Sequence, residues 1–452
     1  MFFVCLGLWL IARVATGAST PASWIGLGLA MGGLALTREN AAVFIAVILL
    51  YAVVQNGSEP SRTVQDPSEP FRTFQNVVWF LAGLAVVLLP VAIRNYSVGG
   101  GLYLTTSQFG SNLYIGNNPT ADGTYASIRF GRGAPEFERI DATEVAEEAV
   151  GRTLTPSEVS SYWTGRVVDY VSSQPGDWLA LTARKVMLLL NATEMLDTES
   201  QESYAEWSWP LAVGAWVGHF GVLLPLAVAG LMVTWPQRRR LWILHVMAVA
   251  YAASVVLFFV FARYRFPLVP FLLLFAAAGV MGAREYWQRG AAGRRAAMVA
   301  AVVASLVVSF WPMLSPPLMR AITENNLGTA LQQAGRPAEA VVHHERAIAM
   351  MPDYAPAYNN LGAALRAAGR IDEAIAAYQR ALALKPDFAS ASYNLANALL
   401  AKGETGASVD QFRRALQASE SVESHNNLGI ALAAKERHVH VHAGAVVVGQ
   451  GL

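Results

Sequence analysis

Residues 357–403 read AYNNLGAALRAAGRIDEAIAAYQRALALKPDFASASYNLANALLAKG, and the fold turns on what recurs inside and beyond them. Asn360-Leu361-Gly362 returns 34 residues later as Asn394-Leu395-Ala396 and stands 34 residues earlier as Asn326-Leu327-Gly328. Gly369 has counterparts at Gly335 and Gly403, Ala381 at Ala347 and Ala415, and Pro386 at Pro352. A fixed period of this length marks a unit of two helices that cannot bury its apolar face alone, so successive copies stack into a solenoid. Small Gly328 and Ala374 permit close helix contact, Leu361 and Tyr378 fill the space between paired helices, and Pro386 ends the second helix. A fourth copy starts one residue early at Asn427-Leu428-Gly429, and the pattern is lost after Arg437.

These positions resemble the tetratricopeptide signature, about 3.5 copies of it over residues 322–437, with residues 313–321 as linker and 438–452 as an irregular tail. The resemblance implies a concave groove that binds a protein or peptide. Asn326, Asn360, Asn394 and Asn427 fall along that groove, where they can hydrogen-bond a peptide backbone or support the helix turn, and Arg366 and Arg370 add positive charge near by. In the tail, His438, His440 and His442 alternate. On a strand they would project from one face and could hold a metal; the competing reading is a chain end without selected structure. No other His, Cys or carboxylate cluster has metal-ligand spacing, so no metal and no cofactor are expected.

Upstream of residue 313 the composition changes. The whole chain of 452 residues is 54% hydrophobic and 14% charged, roughly half the usual charged fraction. Lys plus Arg (33) nearly equals Asp plus Glu (32), which excludes an overall basic nucleic-acid binder. Cys5 is the single cysteine, which excludes a disulfide framework and a cysteine-rich metal site within one chain. A hydrocarbon core of roughly 30 Å needs about 20 helical residues. Candidate spans are Met1 to Val14, Trp24 to Leu36, Ala41 to Val54, Val77 to Ile93, Trp209 to Thr234, Leu241 to Ala262, Phe266 to Gly282 and Ala296 to Trp311. The second and third are short and joined by Thr37-Arg38-Glu39-Asn40, as in a single broken or re-entrant element. The expected fold is therefore all-α: a polytopic transmembrane helix bundle over residues 1–312 with a large outer loop at 97–208, followed by an α-solenoid.

Basic residues near membrane ends stay on the cytoplasmic side. Gln237-Arg238-Arg239-Arg240 is one such anchor, and the loop carrying Arg284, Arg289, Arg294 and Arg295 is another, two crossings away. Counting outward puts residues 97–208, the link Arg263-Tyr264-Arg265 and everything after Trp311 on the outer face. Residues 97–208 hold 15 acidic against 7 basic side chains, a net charge of −8. Arg38, Arg94, Arg263 and Arg265 then all land at the outer edge, where positive charge is otherwise depleted. Each can snorkel to headgroups, but guanidinium groups from three separate links can also converge on a lipid-linked phosphate, which they bind bidentately. Close by, Ser107 to Tyr125 reads SQFGSNLYIGNNPTADGTY, rich in turn chemistry and side-chain hydrogen-bonding groups. It is either an ordered surface loop or a polar pocket floor holding a sugar, with Asn112, Asn117, Asn118 and Asp122 on hydroxyls and Tyr114 stacked on the ring.

Five stretches in one order carry a second resemblance: Gly33 to Arg38, Pro90 to Tyr96, "NLYIGNNPTADGTY", "KVMLLLNATE" from Lys185 to Glu194, and "ARYRFPLVP" from Ala262 to Pro270. Residues 22–312 are similar to the later part of bacterial polytopic glycosyltransferases related to the dolichyl-phosphate-mannose protein mannosyltransferases. That likeness implies transfer of a sugar from a polyprenyl-phosphate-type carrier to a protein or lipid acceptor. It makes Arg263 and Arg265 donor-phosphate contacts, supported by Arg38 and Arg94. It also implies a catalytic acid, commonly an Asp-Glu or Asp-Asp pair, in the first outer loop, which would deprotonate the acceptor. No such pair is found at the corresponding place, so the catalytic residue is unknown, and the chain is expected to be an incomplete fragment, the alternative being a remnant whose chemistry is lost. Glu39 could substitute, although its adjacency to Arg38 suggests a simple ion pair. The expected setting is the inner membrane with the repeats on the periplasmic side, and the expected partners are a lipid-linked sugar donor, the membrane and a protein or peptide. The rival reading is a non-catalytic membrane-anchored scaffold. "SEPSRTVQ" from Ser58 recurs as "SEPFRTFQ" from Ser68 and reads as a flexible linker; the glycosylation-type tripeptides at Asn56, Asn95 and Asn191 carry no weight.

Overall fold

The structure, a computed structural model, describes residues 1–54, 69–98, 103–104, 108–129, 135–193, 208–418 and 422–449. Every described element is an α-helix or a short 3-10 turn. The chain divides into two compact units, one made of Met1–Ile128, Gly133–Asp197 and Val213–Met313, the other dominated by Leu314–Leu452.

Among the described residues of the first unit, four helical stretches are long and apolar enough to cross a membrane: Pro70–Ser97, Phe220–Gln237, Ala262–Arg289 and Ala292–Ser309. Phe2–Ala15, Pro21–Thr37, Glu39–Val54 and Trp242–Leu257 are apolar but shorter. Phe220–Thr234 and Val269–Arg289 lie against each other with Gly230 facing Gly279, and a Cβ on Gly230 would collide with the Phe275 carbonyl. Such small-residue seams let helix backbones approach where lipid offers no hydrophobic drive to association. Phe44 stacks on Tyr251 with ring centroids 5.2 Å apart and also meets Phe271, which ties the third short helix to two later ones.

Several expected elements come out differently. The span read from Trp209 to Thr234 is two helices, Trp209–Gly218 and Phe220–Thr234, because the His219 ring accepts the Gly221 N–H at 3.0 Å and caps a new start. The span read from Leu241 to Ala262 stops at Leu257, and Phe258 to Phe261 run without helical bonds before Ala262–Arg265 resumes. Arg38 is likewise extended (φ −151°, ψ 100°) between Pro21–Thr37 and the 3-10 turn Glu39–Ala42. The stretch read as loop from Ser107 contains the helix Phe109–Gly116; Ser107 itself lies outside the described residues. The second "SEP" copy is helical from Glu69, the start of Glu69–Ser97, so from there on it is not a flexible linker. Its first copy and the tripeptide at Asn56 lie outside the described residues. The described part of residues 97–208 is mostly helical: Pro135–Val150, Pro156–Ser173 and Pro175–Leu190 follow one another, the second opened by a reciprocal Thr155 and Glu158 capping box.

The second unit is a stack of hairpins. Pro316–Gln333 pairs with Pro337–Met350, Ala355–Ala367 with Ile371–Leu384, and Ala389–Lys402 with Thr405–Ala418; Val422–Gly449 follows. Gly335, Gly369 and Gly403 close the three hairpin turns at φ +74°, +78° and +88°, a left-handed conformation that favours glycine. Ala340, Ala364, Ala374, Tyr378, Leu395 and Leu399 form one buried cluster shared by adjacent copies. The tail with His438, His440 and His442 has a helical backbone to Gly449, so the alternating register of a strand does not arise there.

Candidate functional site

The break after Leu257 leaves backbone groups that need partners, and residues between 108 and 190 supply them. Asn117 ends Phe109–Gly116 and is 2% exposed; its amide donates to the Leu257 carbonyl at 2.7 Å and to the Leu113 carbonyl at 2.8 Å. The Val260 N–H donates to the Gly123 carbonyl at 3.0 Å. Asn117 Oδ1 in turn accepts from Trp178 Nε1 at 3.0 Å and from Lys185 Nζ at 2.9 Å. Lys185 is 0% exposed, and burial brings its amine down to about 8. Irregular backbone next to apolar helices persists only where such bonds are made.

Held open by this frame is a cavity of about 270 Å³, lined by Leu36, Arg38, Glu39, Gln108, Asn112 and Tyr264 together with Thr37, Asn40, Val255, Phe258 and Phe259. Two of the four arginines meet on the Tyr264 ring, and of these Arg38 itself lines the cavity. Arg38 lies over the Tyr264 ring with its Cζ 5.3 Å from the centroid, and Arg263 meets the same ring at 5.5 Å and Phe261 at 5.4 Å. Guanidinium groups stacked on rings keep their charge and their planar donors. No Arg38–Glu39 ion pair forms among the described residues, contrary to the sequence expectation, and Glu39 Oε1 is buried without a protein hydrogen-bond partner.

The other two arginines lie elsewhere. Arg265 is 2% exposed, donates to the Asn191 carbonyl at 2.6 Å and the Thr193 carbonyl at 3.3 Å, and covers the Phe220 ring at 4.0 Å. Its guanidinium fastens the end of Pro175–Leu190 to Phe220–Thr234. Arg94 is exposed on the last turn of Glu69–Ser97.

Of the proposed sugar contacts, only Asn112 lines the cavity. Tyr114 packs on Trp163 at 4.5 Å. The Asn118 amide donates to the Tyr114 and Ile115 carbonyls while its oxygen accepts from Thr120, and Asp122 accepts from the Thr124 N–H and hydroxyl. Asn117, Asn118 and Asp122 are thus occupied in shaping the turn. Sequence reasoning missed Tyr264 as the shared platform, and it missed a pair behind Arg263. There, Tyr125 hydrogen-bonds Glu138; burial, then Glu138, pushes the Tyr125 phenol up. Burial also raises the Glu138 carboxyl, against the Tyr125 hydrogen bond and the Arg263 charge, which lower it.

In the repeats, the asparagines bridge neighbouring copies. Asn360 donates to Asn325 Oδ1 at 3.1 Å, Asn359 to Asn360 Oδ1 at 3.1 Å, and Asn394 to Asn359 Oδ1 at 3.0 Å. Asn427 donates to the Tyr393 hydroxyl at 2.9 Å and to Asn397 Oδ1 at 3.1 Å. Asn326 is half-buried one turn position away. Asn325 and Asn359, which also recur at the 34-residue period, were the overlooked rungs.

Residues 319–387 match a tetratricopeptide-repeat family model, and a second tetratricopeptide-repeat model matches 361–423 and 393–439. Residues 319–439 are therefore tetratricopeptide repeats. The comparison with curated proteins gives no match. Among solved structures, the first tetratricopeptide domain of Spaghetti (RPAP3), bound to the HSP90 peptide SRMEEVD, is 18% identical with a TM-score of 0.26, over 26% of this chain and 95% of that one. The N-terminal domain of stress-induced protein-1 from C. elegans is 22% identical with a TM-score of 0.25, over 26% and 98%. YrrB, a tetratricopeptide protein with an unusual peptide-binding site, is 15% identical with a TM-score of 0.24, over 53% and 99%.

Proposed function

We propose that the first unit is a membrane glycosyltransferase module that takes a sugar from a polyprenyl-phosphate-type carrier and transfers it to a protein or lipid acceptor. Its setting is the inner membrane, with the cavity and the repeats on the extracytoplasmic side. The observation that carries the reading is the meeting of Arg38 and Arg263 on one Tyr264 ring at the edge of a polar cavity. Two guanidiniums from separate links, partly shielded by aromatic rings, suit a phosphate monoester or diester whose lipid lies among the apolar helices. They would hold the departing phosphate as its bond to the anomeric carbon breaks. Arg94 remains a candidate for contact with the headgroup region, and Arg265 supports the site from behind.

The test is binding of undecaprenyl phosphate to the full-length protein in lipid nanodiscs. Arg38→Ala and Arg263→Ala should each weaken binding at least tenfold, as expected for loss of a charge-assisted contact of about 1.5 to 3 kcal/mol. Unchanged affinity in both would remove the arginines from any donor site.

The tetratricopeptide match favours a second, compatible activity: the repeats recruit a protein partner. If the cavity proves inert, a membrane-anchored scaffold is what stands.

A further inference from the structure

We propose that Glu39 is the general base of this site, receiving the proton of the acceptor hydroxyl, a role that rests on the transfer reading above. The sequence resemblance put that base outside this chain; the cavity contains a carboxylate of its own. Three observations lead to it. Glu39 lines the cavity beside Asn40, Gln108 and Asn112, so a hydroxyl-bearing ligand entering there meets it. Its Oε1 is buried and takes no hydrogen bond from the protein, and its neighbour Arg38 is engaged with Tyr264 instead of pairing with it. A carboxylate that neither a protein donor nor an ion pair engages is left to accept from a hydroxyl brought into the cavity it lines. Third, the other carboxylate near the arginines, Glu138, is already engaged by a hydrogen bond from Tyr125, whereas Glu39 is not.

The step balances without a further reactant. The acceptor oxygen forms its bond to the anomeric carbon as its proton passes to the Glu39 carboxylate. The bond from the anomeric carbon to the phosphate oxygen breaks, and its electron pair leaves on the phosphate, which Arg38 and Arg263 hold. Glu39 and Arg38 are adjacent in the chain at an extended turn, and both border the one cavity.

The experiment uses the full-length protein in nanodiscs with a panel of tritiated hexosyl undecaprenyl phosphates as donors and a serine- and threonine-rich peptide as acceptor. Donor binding is measured in parallel. Glu39→Gln should lower kcat on the order of 10² to 10⁴-fold, the usual worth of a positioned base, while leaving donor affinity within threefold. Glu39→Asp, which keeps the carboxylate, should recover part of the rate and shows that loss in the Gln variant is not misfolding. Transfer by Glu39→Gln at the wild-type rate overturns the base while leaving the transfer reading intact. Loss of donor binding in Glu39→Gln makes Glu39 a binding residue and also overturns the base. A wild type that binds donors but transfers from none of them overturns the transfer reading, and the base falls with it.

Discussion

At the scale of the residue, the chemistry of this chain is concentrated in side chains that satisfy more than one partner. Asn117 is the clearest: it donates to two carbonyls and accepts from a half-buried indole and a buried ammonium. Asn117→Ala would orphan the buried Lys185 Nζ together with the less buried Leu257 carbonyl and Trp178 Nε1. A buried unsatisfied group costs about 1 to 3 kcal/mol, so a loss on the order of 3 kcal/mol is expected in a thermal melt of the nanodisc-embedded protein, with phosphate binding lost alongside. Asn117→Asp, which keeps the acceptor for Lys185, should lose less. The same logic applies to His344, which is 0% exposed and fills the place taken by Tyr378 and Phe412 in later copies. Its Nδ1 meets Asn325 Oδ1 at 3.1 Å and its Nε2 is buried unpaired. Burial, with His343 adding a smaller push, brings its imidazole down to about 4 from 6.5. The fold thus prefers neutral His344, and the stability this confers is complete above pH 6.5 and falls as pH drops from 6.5 towards 4. The loss should approach about 3 kcal/mol, at 1.36 kcal/mol per unit. His344→Phe should abolish that part of the pH dependence in melts followed by helical ellipticity.

At the scale of the element, what the sequence reveals depends on whether a signal is periodic or singular. The repeats were legible because Gly369, Ala381 and Pro386 recur at fixed intervals, and each recurrence corresponds to a turn, a packing contact or a helix end. The apolar stretches were legible as stretches, but their breaks at His219 and Phe258 were not. A capping imidazole and a carbonyl taken by an asparagine 140 positions away leave no local trace. For the same reason "NLYIGNNPTADGTY" read as a sugar-binding floor, although Asn118 and Asp122 shape its own turn and Asn117 holds the break. The asparagine ladder shows the intermediate case: its columns recur visibly, yet their pairing across copies emerges only in three dimensions. Asn359 both donates to Asn360 and accepts from Asn394, so Asn359→Ala cuts two rungs where Asn394→Ala cuts one. At about 0.5 to 1.5 kcal/mol per hydrogen bond, Asn359→Ala should lower the unfolding midpoint of the repeats roughly twice as far. Equal midpoints would mean that packing, not the ladder, aligns the copies.

For the whole molecule, everything proposed of the cavity requires that its charged links share one face of the bilayer. Arg38 and Arg263 are gathered by Tyr264 within one compact unit, but Arg94 stands exposed at the end of its own helix, so its side of the membrane is a separate matter. The basic cluster Arg238, Arg239 and Arg240 should face the opposite compartment, since positive charge is retained on the cytoplasmic side. Because Cys5 is the one cysteine in the sequence, replacing it with Ser gives a background free of thiols. Into that background Thr37→Cys, Tyr96→Cys and Arg239→Cys can each be introduced, at exposed positions next to Arg38, next to Arg94 and inside the basic cluster. A membrane-impermeant maleimide applied to intact spheroplasts should label Thr37→Cys and Tyr96→Cys, and should reach Arg239→Cys only after permeabilisation. Labelling of Thr37→Cys and Tyr96→Cys from opposite sides would exclude Arg94 from the phosphate site. Labelling of Thr37→Cys only from the cytoplasmic side would move the whole cavity to the wrong face for an extracytoplasmic donor.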